Sequence, residues 1–197
     1  MPESNALIGF ISIAMAFMAL LPYYWGIYKK TVKPHAFSWF IWGLLGIIGY
    51  CAQDSGGAGS GAFTTLFFSI LCLIIAFISW GWGERNITRS DWISFIAAIS
   101  ALPLWYWLHN PLAAIVIVSM IDMLGYYPTF RKSWQKPDDE LIFSHLMGGG
   151  GYALSIMAMA EKNLTTILYP ASITFSACSL SLMLFYRRYA IKKKSSL

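Results

Sequence analysis

Charge is scarce in this chain. Only 12% of its residues are Asp, Glu, Lys or Arg, about half the share of an average soluble domain. With apolar residues at 57%, that scarcity excludes an ordinary water-soluble domain and predicts an integral membrane protein. Long polar stretches are missing too: the interval between apolar runs never exceeds about ten residues, which leaves no room for a soluble domain. The apolar runs lack period-two alternation, and this excludes a membrane β-barrel. Lipid offers no water to unpaired backbone groups, so the remaining solution is all-α. Cysteine is limited to Cys51, Cys72 and Cys178, each in or beside an apolar run, a pattern that makes neither a disulfide framework nor a metal site. Metal and nucleotide motifs are absent, so no metal and no cofactor are expected. Lysine is absent between Leu164 and Tyr186, which excludes a retinal Schiff base there. The leader MPESN has no positive charge and the apolar run behind it is too long for a signal peptide, so it reads as a retained first helix.

A bilayer core of ~30 Å needs roughly 20 apolar residues per helix. Seven runs meet or approach that length: Leu7 to Tyr28, Ala36 to Cys51, Gly61 to Trp82, Trp92 to Leu108, Leu112 to Phe130, Leu141 to Ala160 and Leu164 to Tyr186. The second and fourth are short. Seven crossings put thirteen of the fourteen basic residues on one side, where Lys29, Lys30, Lys33, Arg85, Arg89, Arg131, Lys132, Lys136, Arg187, Arg188 and Lys192 to Lys194 fall, and Lys162 alone on the other. By the positive-inside rule the N-terminus is then outside and the C-terminus cytosolic; in a bacterium the membrane would be the inner, plasma membrane. The net charge of +5 reflects this bias and not a nucleic-acid partner, and the basic tail after Tyr186 reads as a topology anchor on anionic lipid. Asn163-Leu164-Thr165 is a sequon on the outer side.

The chain also repeats itself. MAFMALLPYYWGIYKKTVKPHAFSW, from Met15 to Trp39, matches the stretch ending DMLGYYPTFRKSWQKPDDELIFSH, from Asp122 to His145. Pro22 answers Pro128, Lys29 answers Lys132, Lys33-Pro34 answers Lys136-Pro137, and Phe37-Ser38 answers Phe143-Ser144. Further on, Thr64-Thr65 and Phe68 answer Thr165-Thr166 and Tyr169. The shifts are 106, 103 and 101 residues, a drift that loop lengths absorb. Spans one to three and five to seven are therefore expected to be one three-helix unit used twice. Three helices return the chain to the opposite side, so a second copy in the same orientation needs one extra crossing, and span four supplies it as a linker. The expected fold is two parallel three-helix repeats, residues 1–90 and 111–188, joined by a linker helix at 91–110 and followed by a basic tail at 189–197.

This 3+1+3 plan, with a proline near the end of spans one and five followed by a short basic loop, resembles the PQ-loop and SWEET superfamily of small-solute carriers. Tyr127-Pro128-Thr129-Phe130-Arg131-Lys132-Ser133-Trp134 is similar to the family's repeated signature around its Pro-Gln dipeptide. Tyr23 and Thr129 stand where that glutamine would be. Glycines, Gly43 and Gly46 in span two and Gly148 to Gly151 in span six, stand where sugar carriers of the family have proline. The resemblance implies a carrier, facilitative or proton-coupled, for a small polar solute such as a sugar, a vitamin precursor or an amino-acid-like compound. The alternative within the same fold is a non-transporting receptor, sorting protein or membrane scaffold. Lipid and solute are the expected partners, and self-association is left open.

Several residues stand out as site candidates. Trp39 and Trp42, one turn apart, share a face and serve either as packing aromatics or as a stacking platform for a ring-shaped solute. Asp122 lies inside the run IVIVSMIDMLGYY, where a carboxylate costs at least ~2.5 kcal/mol to insert, so it should face a cavity or a partner. His145, near the start of span six, is the expected partner, the pair being either a proton-coupling device or a structural one; a cationic solute could use Asp122 directly. Gly149, within the four-glycine run, signals either close helix packing or backbone lining the solute path. Ser69, Cys72, Ser172 and Ser176, at mid-depth of spans three and seven, would give a mildly polar wall. Pro22, Pro128 and Tyr127 would form an inner gate. An enzyme is not expected: Ser60 and His145 fall at opposite membrane faces, and nothing around Ser133 resembles a nucleophile motif.

Overall fold

A computed structural model describes residues 2–31, 34, 36–83, 89, 92–93, 95–96, 99–100, 103, 107 and 110–195, with backbone alone at 2–4, 82, 127, 128, 132, 139, 194 and 195. Among these residues the chain is helical without strands. The six helices are α1 (Pro2–Tyr28), α2 (Ala36–Ser55), α3 (Phe63–Trp82), α4 (Pro111–Gln135), α5 (Ile142–Ala158) and α6 (Leu164–Ser195). Five segments, Asn5–Tyr28, Ala36–Ser55, Gly59–Gly81, Pro111–Gln135 and Leu164–Lys193, are long and apolar enough to cross a membrane, as an integral membrane protein requires. α5, which corresponds to span six, is 17 residues long. Most of span four lies outside the described residues; of those described, Trp92 and Phe95 pack their rings on Phe37 with centroids 4.9 and 4.6 Å away.

The helix ends follow from local chemistry. Lys30 adopts a left-handed φ of 58°, and Thr31 and Lys30 donate their backbone N–H groups to the Gly26 and Ile27 carbonyls at 2.9 and 3.0 Å, a Schellman closure of α1. Asn110 caps α4 by accepting from the N–H groups of Leu112 and Ala113 at 3.0 and 3.2 Å, with Pro111 at the first helical position, where it has no donor to lose. Asn163 caps α6, its Oδ1 accepting from Thr166 N at 3.2 Å, while its Nδ2 donates to the Gly56 carbonyl at 2.9 Å. The sequon asparagine is thus a structural cap. Two helices outrun their expected spans. α4 continues from Phe130 to Gln135 and α6 from Tyr186 to Ser195, because a helix of good formers and late basic residues persists beyond the lipid. The basic tail is therefore mostly the end of α6.

The principal helix contacts fall in pairs. α1 packs on α5 and α2 on α4; α2 packs on α3 and α5 on α6; α1 packs on α3 and α4 on α6; α2 also meets α6, as α3 meets α5. Exchanging α1 with α4, α2 with α5 and α3 with α6 leaves this set unchanged. Glycine makes the tightest of these approaches. A Cβ at Gly151 would lie 3.1 Å from the Ser12 carbonyl oxygen and 3.3 Å from Ala16 N, so α1 and α5 meet backbone to backbone there. Ser12 Oγ also donates to the Gly151 carbonyl at 2.7 Å and shares a hydrogen bond with Thr64 Oγ1. The main apolar cluster, which includes Leu45, Ile48, Ile115, Val118, Tyr152 and Tyr169, joins α2, α4, α5 and α6.

Candidate functional site

All six helices contribute to one cavity of about 670 Å³, a size typical of small-molecule sites. Each presents one face at helical spacing. α4 gives Asp122, Tyr126 and Thr129; α5 gives Ser144, His145, Gly148, Gly149 and Tyr152; α6 gives Tyr169, Ile173 and Ala177. α1 gives Ala19, Leu20 and Tyr23, α2 gives Ser38, Trp39 and Trp42, and α3 gives Phe68. Thr31, Glu140 and Leu141, at the helix ends on the basic side, line the mouth. Six wall pairs stand in the register of the internal match: Leu20 with Tyr126, Tyr23 with Thr129, Ser38 with Ser144, Trp39 with His145, Trp42 with Gly148, and Phe68 with Tyr169.

At the opposite helix ends the connecting loops are bonded to each other through backbone. The N–H groups of Ala160 and Glu161 donate to the Ala58 and Gly57 carbonyls at 3.0 and 3.1 Å, beside the Asn163 to Gly56 bond already described. Gln53 Nε2 adds a 3.4 Å bond to the Thr166 carbonyl. The loop after α2 is thereby stitched to the loop before α6.

Trp39, Trp42, Asp122, His145 and Gly149 thus meet around one cavity. The two indoles touch edge to face with centroids 5.2 Å apart. Trp39 Nε1 donates to the Tyr23 hydroxyl at 2.9 Å, which fixes the ring as a rigid wall. Trp42 reaches towards α4, where a Cβ at Gly125 would lie 3.9 Å from its Nε1, one turn from Asp122.

Asp122 and His145 do not pair. His145 Nε2 lies 3.6 Å from Glu140 Oε2 at the mouth, with side chains 20% and 22% exposed. Asp122 is 5% exposed and its Oδ2 has no hydrogen-bond partner among the described residues. Depth explains the separation: at ~1.5 Å per residue, Asp122 lies ~20 Å from the Gln135 end of α4, whereas His145 lies ~5 Å from the start of α5.

The four-glycine run stays helical. Gly149 and Gly151 let neighbours approach: a Cβ at Gly149 would sit 3.0 Å from Ala177 Cβ, and Thr174 Oγ1 donates to the Gly149 carbonyl at 3.2 Å. Gly148 and Gly149 also form part of the cavity wall.

Ser69, Cys72, Ser172 and Ser176 are buried but lie away from the wall. Ser69 and Ser172 donate to the Thr65 and Tyr169 carbonyls of their own helices at 2.6 and 2.8 Å, the usual fate of a hydroxyl without a polar neighbour. Cys72 packs in an apolar cluster with Leu20, Ile27 and Trp39. Pro22 falls inside α1, which continues past it to Tyr28. Pro128 and Tyr127 belong to α4, but their side chains are outside the described set.

Tyr23, Ser38, Tyr126, Glu140, Ser144, Tyr152 and Tyr169 join the wall without having been singled out. Two signals pointed to some of them: helical spacing from Asp122 reaches Tyr126, and Ser38, Ser144, Phe68 and Tyr169 are positions that match between the halves. Comparison of the chain with family models, curated proteins and solved structures finds no match.

Proposed function

We propose that this protein is a membrane carrier for a small polar solute, built as two parallel three-helix repeats around a linker helix in the manner of the PQ-loop and SWEET plan. The observation that carries the reading is the one-sided cavity, whose wall is drawn from equivalent positions of both halves, with a mouth on the basic side and hydrogen-bonded loops at the other end. Alternating access needs such a site between two units that can rock. Breaking the bonds between the Gly56–Ala58 and Ala160–Asn163 loops while the mouth closes would expose the same cavity to the opposite side. The basic side is taken as cytosolic under the positive-inside rule.

Flux of radiolabelled sugars, amino acids, amines and vitamin precursors into proteoliposomes, with and without a pH gradient, tests the proposal. Saturable uptake of any class supports it, and dependence on the gradient assigns proton coupling. Absence of flux for every class overturns it in favour of a receptor or scaffold.

A further inference from the structure

Asp122 lies at the midpoint of α4, lines the cavity and is 5% exposed, yet its Oδ2 has no hydrogen-bond partner among the described residues. A carboxylate at this depth in lipid is kept only when something compensates it. Helix packing does not: Ser119, one turn away, bonds the Ile115 carbonyl at 2.7 Å, and His145 is held at the mouth with Glu140. Among the described residues no Lys or Arg lines the wall, and Glu140 adds a second carboxylate at the entrance. Asp122 therefore stands in the cavity without a basic partner among the described residues, and a cation entering there would supply one.

Aromatic side chains make up much of the rest of the wall. Tyr23, Trp39, Trp42, Phe68, Tyr126, Tyr152 and Tyr169 all line it. Aromatic faces attract cations through their quadrupoles, most strongly where water is excluded, and they also stack on flat apolar groups. A small inorganic cation would need several oxygen ligands, and no group of three acidic, His or Cys side chains able to hold a metal exists among the described residues.

We infer that the cavity takes an organic monocation, with its ammonium or ring nitrogen opposite Asp122 and a compact, flat apolar body against the tryptophans and tyrosines. The assignment deepens the carrier reading and rests on it for its biological sense, but binding can be read without transport.

The full-length protein in lipid nanodiscs is tested by equilibrium dialysis with radiolabelled benzylammonium and with benzyl alcohol, a neutral analogue of similar size, each corrected for empty nanodiscs. Benzylammonium is expected to bind about ten-fold or more tightly than the alcohol, and Asp122→Asn to remove that preference while leaving the alcohol within about two-fold, since losing one partner of a buried charge pair costs at least this much. Equal binding of the two probes to the wild-type protein overturns the inference without recourse to any variant. Retention of the cation preference in Asp122→Asn also overturns it, because the carboxylate would then be irrelevant. Cation binding in nanodiscs without flux in proteoliposomes would sink the carrier reading and keep the cation site; flux of a neutral solute without cation preference would do the reverse.

Discussion

The two halves of the cavity wall occupy matching positions, alike at Ser38 with Ser144 and different in chemistry at others. Where α2 places the indoles of Trp39 and Trp42, α5 places the imidazole of His145 and the bare backbone of Gly148. Where α1 has Ala16, buried and apolar, α4 has Asp122. The first half supplies bulk and fixed surface, with Trp39 bonded to Tyr23 and set edge to face against Trp42. The second supplies charge and space. Under the proposed carrier function a wall built this way would bind asymmetrically inside a near-symmetric frame, and the difference between halves is where selectivity should lie.

The largest effect expected from any single change comes from the frame that both halves share. Gly151→Leu drives a side chain into the Ser12 carbonyl and Ala16 N, which are backbone atoms and cannot swing aside. We expect a loss of ~3 kcal/mol, the upper end of overpacking costs, read as a lowered unfolding midpoint in detergent. Gly148→Ala is the control within the same run, since its Cβ would meet Ala19 Cβ at an ordinary 3.8 Å, and little change is expected.

Asp122→Ala makes the second half resemble the first at the position of Ala16. A buried carboxylate oxygen without a partner costs ~1 to 3 kcal/mol, so the ligand-free variant should be more stable than the wild type, by ~1 kcal/mol. A fall in the unfolding midpoint would instead mean that Asp122 holds the bundle together, and the contrast between a structural and a binding half would collapse.

Trp39→Phe tests the rigid half. It removes the donor to the Tyr23 hydroxyl and should cost ~1 kcal/mol, the net worth of one such bond. It should also loosen the indole pair, which near-ultraviolet circular dichroism would register.

Much of this contrast was legible in the residues. Asp122 stands out because a charge inside an apolar run is costly wherever the run lies, and Ser38 with Ser144 and Phe68 with Tyr169 were legible as matched positions but not as wall. That Asp122 lies deeper than His145 was legible, but by how much was hidden. Hydropathy ends at Phe130, but α4 runs on through Arg131 to Gln135, since a helix does not stop where the lipid does, and those residues carry Asp122 deeper below the turn. The small hydroxyls were misleading for a different reason. Ser69 and Ser172 bond carbonyls one turn back in their own helices, and no sequence pattern distinguishes that from a hydroxyl aimed at a solute.

The smallest effect separates the mouth from the interior. His145 and Glu140 approach to 3.6 Å, but each remains about one-fifth exposed, so solvent screens the attraction and the pair contributes well under ~1 kcal/mol. The turn that presents Glu140 is held by something else: Arg188 Nη2 donates to the Glu140 and Pro137 carbonyls at 2.5 and 2.8 Å, and its Nε to the Pro137 carbonyl at 3.1 Å. His145→Gln should therefore shift stability by less than ~0.5 kcal/mol, while keeping a polar group of similar reach at the entrance. If it instead costs as much as Trp39→Phe, the pair is a structural clasp and the second half is as rigid as the first. If the shift is as small as expected but benzylammonium binding changes, His145 acts on the ligand's path, and the division of labour between an aromatic wall and an ionisable one extends out to the mouth.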